Sequence, residues 1–375
     1  MQPPWTKNVD YSMKPIFVCW ETTKSCLLSC RHCRATAIKD HLPGELDHET
    51  GIRLIDQLLE FGEPYPALLL TGGDPLMRPD MFDLLRHARN QGIYTAVAAS
   101  VTPLLTREKL ERMRDLGVEI MSVSMDGASA AIHDRIRDIP GTFRSTLEAI
   151  ETAKACGMRL QVNTTGMKSN LRDLADIFHL ARERGAVAWE VFFLVRTGRG
   201  SSLENPEPAE CEDVAHFLYD ATGYGIPVRT SEGPHFRRVF MQRQKGGEAP
   251  RRELSTHLST RLRELEGEPT NAPAMRLNAT GDGKGIIFIG HDGEVHPSGF
   301  MPLSLGNVQE RTLKSIYTTH PQLVMMRDPA NLKGRCGACE YKVICSGSRA
   351  RAYAEYQDPC QEDPACPYVP AAVRT

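Results

Sequence analysis

At 375 residues, with an apolar content of 41%, the chain is long enough for one large core and a smaller appended unit. Its 45 basic and 47 acidic residues leave a formal charge of −2, so bulk electrostatics give no reason to expect nucleic acid as a partner. No basic segment followed by a long apolar run opens the sequence and no eighteen-residue apolar run occurs, so we expect a cytoplasmic protein with no membrane span, whose eleven cysteines serve metal binding rather than disulfides.

From about residue 14 to residue 200, short β-rich runs alternate with amphipathic ones, the pattern of repeated βα units. The predicted strands are PIFVCWE, PALLLT, YTAVAA, VEIMSVSM, RLQVNTT and AWEVFFLV, starting at Pro15, Pro66, Tyr94, Val118, Arg159 and Ala188. Their nearly continuous apolar character fits strands covered on both faces. Between them, ETGIRLIDQLLEF, RPDMFDLLRHARNQG, REKLERMRDLG, TFRSTLEAIETAKACG and NLRDLADIFHLARERG carry apolar residues at helical spacing, several ending in glycine. The expected fold class is α/β: a partial, TIM-like (β/α)6 barrel over residues 1–200, a linker and basic helical region over 201–278, and a small α+β module over 279–375. Ligands of such barrels bind at the carboxyl ends of the strands.

The first strand leads directly into Cys26, Cys30 and Cys33, spaced C-x3-C-x2-C with no close fourth thiol. Three cysteines on one loop suit three irons of a [4Fe-4S] cluster, leaving the fourth iron for an exogenous ligand. A structural cluster or a zinc site is the competing reading. TGGDP follows the second strand, SMDGASAAIHDRIR the fourth, VNTT closes the fifth and FFLVRTGRG the sixth.

With this placement of motifs the chain resembles the radical S-adenosylmethionine (radical SAM) superfamily. The resemblance implies that the open iron chelates S-adenosylmethionine, whose reductive cleavage yields a 5′-deoxyadenosyl radical. It implies that Gly72, Gly73 and Asp74 meet the methionyl amino group, although glutamate is more usual at Asp74. Ser124 and Asp126 would lie near the cofactor, Arg137 would reach its carboxylate, Asn163 would point into the barrel mouth, and His32 would pack on the adenine side. Taken singly, GGDP is also a tight turn, Arg137 a surface ion pair, Asn163 a locally satisfied amide and His32 a plain loop residue. Arg196 departs from the proline common in related enzymes and is a candidate substrate contact, as is Arg199; Phe192 and Phe193 are expected in the core. Cys19, Cys156 and Cys211 are expected to be small buried hydrophobes.

Between residues 201 and 278 a linker and one helix precede a basic stretch, expected to be a solvated helix face and loop, or alternatively a lid or anion-binding surface. GKGIIFIGHDGEVHPSGF then predicts a β-hairpin, in a separate module too poor in apolar residues to stand without a metal. The tail carries Cys336, Cys339 and Cys345 in C-x2-C-x5-C spacing, with Cys360 and Cys366 beyond. It resembles a SPASM domain, the auxiliary-cluster module of some radical enzymes. Ser298 and Ser348 stand where that family places ligands of the inner auxiliary cluster. The resemblance thus implies one auxiliary [4Fe-4S] cluster, held by Cys336, Cys339, Cys345 and Cys366, with Cys360 the alternative fourth ligand and a four-cysteine zinc site the rival.

Among SPASM-bearing enzymes the tail is most similar to the haem-biosynthesis group, which decarboxylates iron-coproporphyrin or makes denitrification haem. That likeness implies a small-molecule substrate, a tetrapyrrole propionate, and an electron donor such as ferredoxin or flavodoxin. Arg196, Arg199, Arg237, Arg238, Arg251 and Arg252 are the cations available for propionates. A peptide maturase is the rival enzyme, set back by the roughly fourteen residues before the first strand. A non-catalytic iron–sulfur electron carrier is the rival from another class. No residue is assigned a catalytic role.

Overall fold

A computed structural model describes residues 9–275 and 277–374. All six expected strands form, as β1 (Phe17–Glu21), β2 (Ala67–Thr71), β3 (Thr95–Ala98), β4 (Ile120–Ser124), β5 (Leu160–Gly166) and β6 (Ala188–Phe193), each parallel to the next. The connecting helices are α1 (His48–Gln57), α2 (Met81–Asn90), α3 (Arg107–Asp115), α4 (Ala130–Arg137), α5 (Thr142–Ala155) and α6 (Leu174–Arg184). Asp47 and Thr106 cap α1 and α3 by accepting the Thr50 and Lys109 amides, and Gly185 ends α6 in the left-handed conformation. Helix α4, inside the segment after β4, was not among the expected elements.

Strand alternation separates two environments. Val18 and Trp20 of β1 are fully buried against the helices, where a Cβ on Gly51 of α1 would stand 2.8 Å from the Trp20 ring. Leu54, Ile55, Leu68, Leu70, Leu84 and Leu85 complete this layer, each burial contributing roughly 1.5–3 kcal/mol. Phe17, Cys19 and Glu21 face the other way, into the barrel.

The sheet extends beyond the six units at both edges. Helix α7 (Pro208–Ala221) leads to a seventh parallel strand, β7 (Val228–Ser231), which pairs with β6. Only Val228 in this strand is strongly apolar, so no continuous run announced it. Helices α8 (His235–Gln244) and α9 (Glu253–Glu266) follow, and they correct the expectation of a solvated face: Phe236, Val239, Phe240, Leu258 and Leu262 are buried in the main core.

Short strand β8 (Gly281–Asp282) precedes the expected hairpin, β9 (Gly285–Ile289) and β10 (Val295–His296). The hairpin does not stand apart: β9 pairs in parallel with β1, and its Ile287 and Ile289 join the core that holds Val18. The strand order is therefore β10-β9-β1-β2-β3-β4-β5-β6-β7. Helices α10 (Leu313–Thr319), α11 (Pro321–Arg327), α12 (Gly334–Ala338) and α13 (Arg349–Tyr356) make up the rest of the tail. The start of α13 ties the two sheet edges together. Ala350 N–H donates to Asp282 of β8, while Arg351 donates to the carbonyls of Leu194 and Glu232 beyond β6 and β7.

Candidate functional site

The cysteine loop leaves the carboxyl end of β1 and closes on itself, Cys26 N–H donating to Ile38 O (2.7 Å) and Ile38 N–H to Lys24 O (3.1 Å). Cys26 and Cys30 are buried, and Cys33 is half-buried. The segment after β6 clamps this loop. Arg199 donates through Nε to Cys30 O and through Nη1 to Ala37 O, at 2.9 and 2.8 Å, and its amide donates to Cys33 O. Gly198 lies so close that a Cβ would meet Arg34 O at 2.3 Å and Cys33 O at 2.5 Å, with φ at +55°. Arg199 therefore holds the loop through Nε and Nη1, while its buried Nη2 has no hydrogen-bond partner among the described residues; Arg196 is exposed and donates to Ser201 O (3.1 Å).

Beside the loop, Asp126 and Arg137 form a buried ion pair between Oδ2 and Nη2, so Arg137 is not a surface residue. Arg137 Nη1 also donates to Cys30 Sγ at 3.4 Å. Asp126 Oδ1 accepts the Thr165 amide (2.8 Å), and His32 Nε2 lies 3.6 Å from Oδ2. Burial opposes ionisation of Asp126, but Arg137 and the two neighbouring histidines hold its carboxyl below the usual range. Burial drives His32 and His133 down to about 4, so both rings are neutral near pH 7. Arg137 Nε and His32 Nδ1 are buried without a hydrogen-bond partner among the described residues. Cationic and unpaired donors next to a buried thiol are the environment that an anionic thiolate-bound cluster and a polar ligand require, so the residues fit such a group.

The glycines of TGGDP lie against the strand-to-loop junction. A Cβ on Gly72 would meet Thr23 O at 2.6 Å and one on Gly73 Ser25 O at 2.3 Å. The side chain of Asp74 is engaged locally. It is fully buried and turned back on its own loop, accepting from the Leu76 and Ser100 amides and from Thr102 Oγ1 (3.1 Å), so it does not face an incoming ligand. Its shorter side chain, compared with glutamate, reaches only these local donors.

The barrel interior carries a polar network that joins Asn163 to residues outside the expected site. Gln161 Nε2 donates to Asn163 Oδ1 (2.8 Å) and Glu190 Oε2 (2.7 Å), its Oε1 accepts from Arg229 (3.0 Å), and Glu190 Oε1 accepts from Ser231 (2.6 Å). Ser124 is in register with Asn163 on the neighbouring strand. Nearer the cysteine loop, Glu21 accepts from Arg34 (2.9 Å), whose guanidinium stacks 4.5 Å over Phe288 of the hairpin. Phe192 packs near Phe300 at 6.1 Å, and only Phe193 joins the core. The available signal was alternation, which puts Gln161, Asn163 and Thr165 on one face of β5. Cys156 and Cys211 are buried as expected, whereas Cys19 lies on the interior face near Arg34 and Glu190, its thiol pushed up to about 12 by burial.

In the tail, Cys336, Cys339, Cys345 and Cys366 line one cavity together with Arg238, Arg335 and Tyr368; Cys360 is buried outside it. Burial pushes the Cys345 thiol to about 12 and Cys366 to about 11, so each stays protonated unless a cationic centre binds the thiolate. Positive partners flank the cavity: Arg349 Nη2 lies 3.7 Å from Cys336 Sγ, Arg238 Nη2 3.9 Å from Cys366 Sγ. Among the described residues no three of these thiols converge on a single ion, so four thiols around one cavity fit a multi-iron cluster better than a mononuclear site. Arg238 is held at both Nη atoms by the Glu212 carboxylate, Arg237 donates to Ile344 O and Thr280, and Arg252 pairs with Asp213, which removes these three as free propionate contacts; Arg251 is exposed. Ser348 Oγ donates to Glu232 and accepts the Arg351 amide, and Ser298 Oγ accepts the Phe300 amide, so both serines are spent on local structure.

The sequence matches the Radical SAM superfamily over residues 20–181. It is 38% identical over 357 residues to the AdoMet-dependent heme synthase of Methanosarcina barkeri, covering 95% of this chain and 97% of that protein. It is 29% identical to the Fe-coproporphyrin III synthase of the same organism, covering 94% and 88%. In fold it is similar to Streptococcus suis SuiB bound to S-adenosylmethionine, with a TM-score of 0.69 at 14% identity, covering 95% of this chain and 78% of that one. A likeness of 38% that runs nearly end to end, together with the family match, means that the chain belongs to the radical SAM superfamily, whose members bind a [4Fe-4S] cluster and S-adenosylmethionine.

Proposed function

We propose that the chain is a haem-biosynthesis enzyme that abstracts hydrogen from a propionate side chain of an iron tetrapyrrole; the resulting radical loses carbon dioxide and one electron, the electron passing to the auxiliary iron–sulfur cluster, and leaves a vinyl group. The near-full-length identity to an AdoMet-dependent heme synthase carries this reading. Cys26, Cys30 and Cys33 would hold the [4Fe-4S] cluster, which with S-adenosylmethionine bound would supply a 5′-deoxyadenosyl radical.

The chain's own residues prepare the site. Gly72 and Gly73 let backbone approach the methionyl end, Arg137 places positive charge by the cluster and the cofactor carboxylate, and Asp126 fixes Arg137 and His32. Ser124 and Asn163 line the mouth, and Arg196 and Arg229, neither held by a carboxylate, are the cations for propionates. Residues 279–375 act as the auxiliary-cluster unit on the barrel of residues 1–200, joined by 201–278, with a [4Fe-4S] cluster on Cys336, Cys339, Cys345 and Cys366. A cytoplasmic ferredoxin or flavodoxin delivers the electron; no described helix is long and apolar enough to cross a membrane.

The test is anaerobic incubation of reconstituted protein with S-adenosylmethionine, dithionite and iron-coproporphyrin III. Formation of 5′-deoxyadenosine together with a decarboxylated porphyrin by mass spectrometry is expected. Deoxyadenosine without any change in the porphyrin would refute the substrate; no deoxyadenosine would refute the radical reading.

A further inference from the structure

The hairpin places His296 on the interior side of the sheet with its Nδ1 held by a backbone carbonyl. Val295 is fully buried in the core, so the next residue of β10, His296, turns to the opposite face. There it pairs across the strand with Phe288, the two ring centroids 6.2 Å apart. Phe288 is itself in register with Cys19 and lies under Arg34, so His296 stands on the interior face, at the sheet edge. Its Nδ1 is 3.1 Å from Leu303 O. A carbonyl only accepts, so in the neutral ring Nδ1 carries the proton and Nε2 carries the lone pair. Nε2 has no hydrogen-bond partner among the described residues; His291, on the same hairpin, differs in presenting its Nδ1 to the Glu21 carboxylate at 3.6 Å and not to a backbone carbonyl.

An imidazole whose Nδ1–H is fixed by a backbone carbonyl is the arrangement by which proteins orient a metal-binding Nε2. The turn that follows holds it in place: Pro297 restricts the backbone of His296, and Leu305 N–H donates to Val295 O (2.9 Å). Phe192 and Phe300, ring centroids 6.1 Å apart, are both half-buried and supply flat apolar surface suited to a macrocycle face.

We propose that His296 is an axial ligand, through Nε2, to the iron of the tetrapyrrole substrate, fixing the macrocycle so that its propionates meet the cofactor end of the barrel. This inference rests on the tetrapyrrole reading above.

The test titrates ferric coproporphyrin III and metal-free coproporphyrin III into the full reconstituted chain and into H296A and H296Q, followed by electron paramagnetic resonance and absorption. We expect a histidine-ligated iron signal in the wild type, lost in both variants and restored in H296A by added imidazole. Loss of a ligand should weaken iron-porphyrin binding by at least the ~10-fold typical of losing a partner that orients one. Metal-free porphyrin should bind all three proteins alike, which a merely misfolded hairpin would not allow. An unchanged iron signal in H296A, or equal weakening for both porphyrins, overturns the ligation and leaves the substrate reading standing. Failure of both porphyrins to bind the wild type overturns the two together.

Discussion

Replacing Arg137 by methionine removes the cation that neutralises Asp126, whose side chain is fully buried. The remaining carboxylate keeps one amide donor, from Thr165, and His32, which burial leaves neutral near pH 7. Breaking a buried pair by removing one member costs about 3–5 kcal/mol, and that is the loss of unfolding free energy expected at pH 7 in urea denaturation. R137M should also lower iron at the first site, because Arg137 Nη1 donates to Cys30 Sγ. Adding D126N removes the stranded charge, so the double variant should recover part of the loss, with a coupling of roughly 1–3 kcal/mol. Without Arg137, burial pushes the Asp126 carboxyl up, and the single variant's deficit should narrow as acidification protonates it. A loss below about 1 kcal/mol in R137M, or a double variant no better than the single, would refute the assignment of this pair as a buried, mutually dependent unit.

C366S should abolish the auxiliary metal centre while C360S retains it, read by iron and sulfide analysis, since only Cys366 lines the cavity with the other three thiols; the reverse result reassigns the fourth ligand. Zinc in place of iron and sulfide would convert that centre to a mononuclear site. G198A forces a Cβ against Arg34 O and Cys33 O, so roughly half of the total iron, that of the first cluster, should be lost while the tail centre persists. Buried His133 and His235 titrate at about 4, below the unfolded value near 6.5. Across that window the unfolded chain binds more protons, so stability falls as pH drops, by about 2 kcal/mol for each histidine between pH 7 and pH 5. Denaturation midpoints at several pH values check this, and H133Q should flatten the dependence.

Much of the barrel is local information. Apolar runs of strand length, amphipathic segments ending in glycine and the spacing of Cys26, Cys30 and Cys33 are properties of neighbouring residues, and they place six strands and the thiol loop without any long-range contact. The hairpin is legible for the same reason, through its turn. Strand β7 is not, because a four-residue edge strand with one apolar side chain gains its stability from pairing with β6, which no window of the sequence contains.

The individual roles divide along the same line. A motif says which residues stand at a strand end, and Gly72, Gly73 and Arg137 do stand there. Where each side chain goes depends on partners distant in the chain: Thr102 and Ser100 draw Asp74 inward, Cys30 and Ala37 occupy Arg199, Glu212 holds Arg238, and β1 takes the hairpin onto its edge. The sequence by itself thus determined the six barrel strands, most of the helices between them, the hairpin and the cysteine set. Only the tertiary structure decided which polar groups are spent on holding the fold and which, like Nε2 of His296, are left to meet a ligand, because a buried donor or acceptor is claimed by whichever partner the packing brings within reach.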